Sequence, residues 1–166
     1  MTDDLPRSSR AQADAASGLP SRRREGGSAA PRGERILINR QRSVAVRPRP
    51  LGAFLLRACD LVLPKTAGVA VCFISDAEIA RLNAAYRGKP GPTDVLSFRG
   101  LKRGGDIAIS PAAARRNARS LGRGLEEELR VLILHGVLHL AGYDHETDTG
   151  QMDRRERQLR RRLGIG

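Results

Sequence analysis

Residues 126–146 read EEELRVLILHGVLHLAGYDHE. From Val131 to Ala141 the run is apolar nearly all round, the pattern of a helix buried on every side. His135 and His139 are set into it four apart, which stacks them on one helix face. Gly142 can take the left-handed conformation that stops a helix, and His145 follows the turn. These are the only histidines among 166 residues. Three imidazoles that hold zinc must bring their nitrogens within about 2.0–2.1 Å of one point. Positions i and i+4 supply two corners of a tetrahedron, a turn swings in the third, and the fourth stays open. Such an open site is catalytic in character. A lone histidine on an apolar helix is usually a hydrogen-bonded core residue, but the third one beyond a glycine turn favours a metal.

Outward from this helix, the pattern is regular. Arg35 to Arg40 is a short β-rich run. Leu51, Phe54, Leu55, Ala58, Cys59 and Val62 recur at helical spacing, entered through Pro48 and Pro50 and ended by Pro64. Gly68 to Ile74 reads as a buried strand, and Ser75 with Glu78 as a capping box for a helix through about Tyr86. Strand-like runs Val95 to Phe98 and Asp106 to Ile109 flank the Gly104–Gly105 pair. Pro111 opens the next helix after Ser110, and Gly122 and Gly124 break it. A last helix spans about Asp148 to Leu163 with Met152, Leu159 and Leu163 inward. The order β-α-β-α-β-β-α-α-α predicts an α+β fold, a mixed sheet packed with helices in a single domain over 34–166. Residues 1–33, rich in Ala, Ser, Gly and Arg, read as a disordered tail.

Composition narrows the function. No apolar run approaches the ~20 residues of a membrane helix, so no membrane partner is expected. Cys59 and Cys72 are too few for a disulfide framework or a cysteine-based zinc site, which points to a reducing, cytoplasmic setting. Lys plus Arg number 30 against 18 Asp plus Glu, a net charge of +12, and residues 35–147 alone hold 18 against 10. A folded domain with that surplus attracts polyanions. The five aromatics sit mostly at core-like positions, so base stacking is a minor theme. Phosphate contacts are expected from Arg115, Arg116, Arg119 and Arg123, or from the arginines of the last helix.

The spacing His-x3-His-x2-Gly-x2-His is also that of metzincin metalloproteases. Those enzymes place a Glu general base where this chain has Gly136. Peptide hydrolysis by that route lacks its base. Met152 fits a helix core position better than a Met-turn.

Residues 135–145, HGVLHLAGYDH, resemble the signature of the YbeY family of metal-dependent endoribonucleases. LNAAYR (82–87), PTDVLSF (92–98) and GDIAIS (105–110) are similar to that family's other blocks and stand in the right order. The resemblance implies a zincin-like fold and a single-strand-specific endoribonuclease of ribosomal RNA. Its expected roles are maturation of the small-subunit RNA 3′ end and ribosome quality control. It implies His135, His139 and His145 as ligands of one Zn2+ or another divalent transition metal, and Arg87 as a catalytic residue. Its partners would be single-stranded RNA, ribosomal RNA and the small ribosomal subunit, with no DNA. Arg99 departs from the proline common after the PTDVLSF block. A general base is left open among Asp144, Glu128 and Asp94, beside metal-bound hydroxide acting unaided or attack by an RNA 2′-OH. A metalloprotease and a non-catalytic ribosome-associated RNA-binding factor remain the alternative readings.

Overall fold

Apolar alternation in the strands decides the layers. In the computed structural model, which describes residues 11–13, 33–100 and 104–166, five strands form one mixed sheet. They are β1 (Ala11–Ala13), β2 (Arg35–Asn39), β3 (Val69–Phe73), β4 (Val95–Arg99) and β5 (Gly105–Ile109), in the order β1-β4-β5-β3-β2. β2, β3 and β5 run parallel, β4 is antiparallel to β5, and β1 pairs parallel with β4. The expected tail over 1–33 lies mostly outside the described residues. Within it, Ala11–Ala13 pairs as a short strand beside Leu96–Phe98.

One face of the sheet presents Val69, Val71, Phe73, Ile107 and Ile109 to the main core. Against it pack α1 (Pro48–Val62), α3 (Pro111–Ser120), α4 (Leu125–Leu140) and α5 (Gln151–Leu163). The other face carries a smaller cluster of Cys72, Ile74, Leu96, Phe98 and Ala108, covered by Ile79 and Leu82 of α2 (Asp76–Arg87). Both cysteines are buried free thiols, and burial pushes Cys59 up to about 12.

The expected element boundaries hold within a residue or two, except that the last helix begins at Gln151 rather than about Asp148. Asp148 instead accepts hydrogen bonds from the Gly150 and Met152 amides, anchoring the entry to α5. The Ser75 box is half formed. Ser75 Oγ accepts from the Glu78 amide at 3.2 Å, while the Glu78 carboxylate pairs with Arg40 at 3.2 Å.

α4 is the centre of the domain. Glu128, Leu129 and every residue from Val131 to Leu140 are buried, with Glu126, Glu127 and Glu128 favourably placed at its positive end. Gly136 lets this helix lie directly on the sheet, since a Cβ there would stand 2.8 Å from Ile107 carbons. Gly136→Ala is therefore expected to destabilise the fold by about 1–3 kcal/mol. Urea unfolding checks this, and an unchanged midpoint would contradict the packing argument.

Candidate metal centre

The C-terminus of α4 shapes the site. Gly142, at φ +102°, closes a turn in which its amide bonds to the His139 carbonyl at 3.0 Å and the Tyr143 amide to that of Leu138 at 3.1 Å. This is a Schellman closure, and it reverses the chain within two residues of the helix. Asp144 then builds the next turn by accepting from the Glu146 amide at 3.0 Å and the Thr147 hydroxyl at 3.1 Å. His145 is thereby returned to the two helix histidines. One nitrogen from each of His135, His139 and His145 lies within 4.8 Å of the others.

Hydrogen bonding fixes which nitrogens face one another. His135 Nδ1 bonds to the Glu156 carboxylate at 2.8 Å, and His139 Nδ1 to the Tyr143 carbonyl at 2.9 Å. Both partners act as acceptors here, so each Nδ1 carries the hydrogen and each Nε2 is left as a lone pair. These two Nε2 atoms are 3.0 Å apart. Lone pairs that close repel unless something positive lies between them. A proton is disfavoured at His139, because burial, reinforced by His135 and His145, pushes its pKa down to about 3. A divalent cation answers the demand without that penalty. His145 Nδ1 is likewise buried without a hydrogen-bond partner. The donor set is all imidazole, which suits zinc and its transition-metal neighbours rather than calcium or magnesium.

Arg87 is brought to the same place. Its side chain is nearly buried, and Nη2 donates to Glu146 Oε1 at 3.0 Å, one residue beyond His145. The capped end of α2, with Gly88 in the left-handed region, delivers it there. Arg99 donates from Nη2 to the His139 carbonyl at 3.0 Å, placing a cation at the negative end of α4.

The three carboxylates considered as general base have structural partners. Asp94 accepts from the Val95 amide and from Asn117, both at 2.9 Å. Glu128 is wholly buried against Arg123, whose Nε stands 2.7 Å away. That pairing also commits Arg123, leaving Arg115, Arg116 and Arg119 as the exposed cations of α3. Asp144 serves the His145 turn. Position 136 is packed on Ile107 and has no space for a side chain.

Glu156, which sequence reasoning missed, is the acid that touches a site histidine. A signal for it exists. Met152, Glu156, Leu159 and Leu163 fall at helical spacing on one buried stripe, where a carboxylate is out of place unless paired.

An α+β chain whose buried helix converges two imidazoles with a third beyond its end is built on zincin-like lines. Comparison with known proteins gives the family. Residues 39–164 match that of the endoribonuclease YbeY, and the chain belongs to it. The endoribonuclease YbeY of Koribacter versatilis is 46% identical over 136 residues, 78% of this chain and 86% of that protein. That of Pelotomaculum thermopropionicum is 38% identical over 149 residues, 78% of this chain and 97% of its own length. The solution structure of TM1509 from Thermotoga maritima is similar with a TM-score of 0.56 at 28% identity, over 78% of this chain and 88% of that one.

An acceptor on His135 Nδ1 raises the basicity of Nε2 and holds the ring in place. Glu156→Ala is expected to weaken zinc binding about 10–100-fold, whereas Glu156→Gln, which keeps an acceptor oxygen, retains most of it. Competition against a chromophoric chelator reads both. Affinity within twofold of the parent in Glu156→Ala would remove Glu156 from the site.

Proposed function

We propose that this chain is a metal-dependent endoribonuclease, specific for single strands and acting in ribosomal RNA processing. His135, His139 and His145 are its metal ligands and Arg87 its catalytic arginine. The observation that carries the reading is the convergence of three imidazole nitrogens within 4.8 Å beside a segment held by Arg87. When bound there, a divalent ion acidifies a water and offsets charge at phosphorus.

The chain's own groups do the rest. His135 and His139 present neutral lone pairs because their Nδ1 hydrogens are committed to Glu156 and Tyr143. Arg87 offers a planar guanidinium suited to two phosphate oxygens, and an RNA phosphate would exchange with Glu146 for it. The surrounding positive field draws the polyanion in, with Arg115 and Arg119 on α3 as exposed phosphate contacts. Arg116 contributes less, since it is bound to Asp76 at 2.8 Å. This interaction, with a hydrogen bond from Ser110, holds the Asp76 carboxyl below its usual range although burial alone raises it.

Within this reading the substrate is the 3′ region of the small-subunit RNA, and the setting is ribosome maturation and quality control in the cytoplasm. The family relationship and the buried free thiols support that placement. No helix among the described residues is long and apolar enough to cross a membrane. Gly136, closed off by Ile107, weighs against a protease.

Metal-loaded protein is expected to cut single-stranded RNA, spare duplex RNA and leave casein intact. His139→Ala, if still folded, should lose more than the ~10–100-fold typical of an outer partner. Cleavage that survives in that variant, or casein hydrolysis, would overturn the reading. Inactivity of the loaded parent protein on RNA would favour a non-catalytic RNA-binding factor. Neutralising Arg115, Arg116 and Arg119 together should lower the log–log salt slope of RNA binding by about 0.7 for each phosphate no longer neutralised. An unchanged slope would exclude α3 from the RNA path.

A further inference from the structure

A cleft of about 370 Å³ lies between α2, α3 and the turn that joins α2 to β4, and none of the three histidines lines it. Its loop wall begins at Lys89, two residues after Arg87. Two residues of chain span at most about 7 Å. The backbone of the loop wall therefore starts within about 7 Å of the Arg87 backbone.

The cleft's chemistry changes with depth. At the mouth are exposed Lys89 and the half-exposed Arg116. Pro90 and Pro92 give the walls flat apolar surface. Deeper lie Asn83 and Asp94, which are only 5% and 3% exposed. Asn83 Nδ2 donates to the Gly91 carbonyl at 3.0 Å, which orients the amide and leaves Oδ1 as an acceptor. That Oδ1 is buried and has no hydrogen-bond partner. Beside it the Asp94 carboxylate adds negative charge, with Asn117 bonded to it at 2.9 Å. An anion is welcome at the mouth and repelled inside, where an N–H donor is wanted.

One class of group has that polarity, a flat ring bearing an amino group with a phosphate on its outer side. We propose that the cleft is a subsite for one unpaired nucleotide whose base carries an exocyclic amino group. Cytosine, adenine and guanine qualify, whereas the N3–H of uracil lies between two carbonyls that the Asn83 and Asp94 oxygens would repel. A volume of about 370 Å³ is ample for one base, and a base held in a duplex would first have to leave its stack to enter. This inference rests on the RNA reading above and adds a base preference to it.

The test uses metal-loaded full chain and fluorescein-labelled 2′-O-methyl hexamers of C and of U. Anisotropy is read at one salt concentration, and gels confirm that the oligomers stay intact. Oligo(C) is expected to bind about tenfold tighter than oligo(U), the factor of roughly one hydrogen bond. Ala113→Leu, which fills the cleft, should bring the ratio near one. Lys89→Ala, an exposed substitution that leaves the core alone, should weaken both hexamers by the same factor. Equal affinity for the two hexamers, a preference that survives in folded Ala113→Leu, or no effect of Lys89→Ala would overturn the subsite. Equal binding by a protein that still cleaves RNA would sink the subsite alone. Failure to bind either hexamer would sink the RNA reading with it.

Discussion

Two imidazole lone pairs face each other across 3.0 Å in the middle of this domain, and much of the structure keeps them there. Neither ring can turn away. His135 is held from behind by Glu156 and His139 by the carbonyl of Tyr143. Protonation, the ordinary escape, is suppressed at His139 by burial. A divalent cation at their focus would relieve that repulsion, and the three imidazoles could hold one. The cost of the arrangement is met by the burial of α4, whose apolar residues lock the helix between the sheet, α1, α3 and α5.

The net charge then resolves into separate tasks. Arg123 neutralises buried Glu128, and Arg99 faces the negative end of α4. Arg160 approaches the far oxygen of Glu156 at 3.7 Å, behind the His135 contact. Arg87 stands at the edge of the site, tied to the segment that carries His145. What remains exposed on α3 and α5 supplies the long-range field for a polyanion.

Much of this was legible in the sequence because its signals are local. Helical spacing within 131–141, Gly142 beyond it, and proline or serine at the entry to α3 are read from neighbours along the chain. The histidine triad was legible for the same reason, since all three members lie within eleven residues. Glu156 was not, because its role depends on α5 folding back onto α4, a contact across 21 residues. The commitment of Asp94 was hidden likewise, for Asn117 meets it only after α3 docks, whereas Glu128 pairs with Arg123 only five residues before it. Gly136 was legible by half. Its lack of a base is a matter of residue type, but its packing on Ile107 needed the sheet. The strand at Ala11–Ala13 carries no pattern that distinguishes it from the surrounding low-complexity sequence.

The central claim is that the three histidines form one metal site. Untagged protein should be purified without added chelator and its metal read by elemental analysis together with X-ray absorption. The account predicts one divalent transition metal per chain with three imidazole nitrogens at about 2.0–2.1 Å, and loss of that metal in His145→Ala. A metal-free protein that neither holds nor takes up such an ion, or a first shell without imidazole, would contradict it.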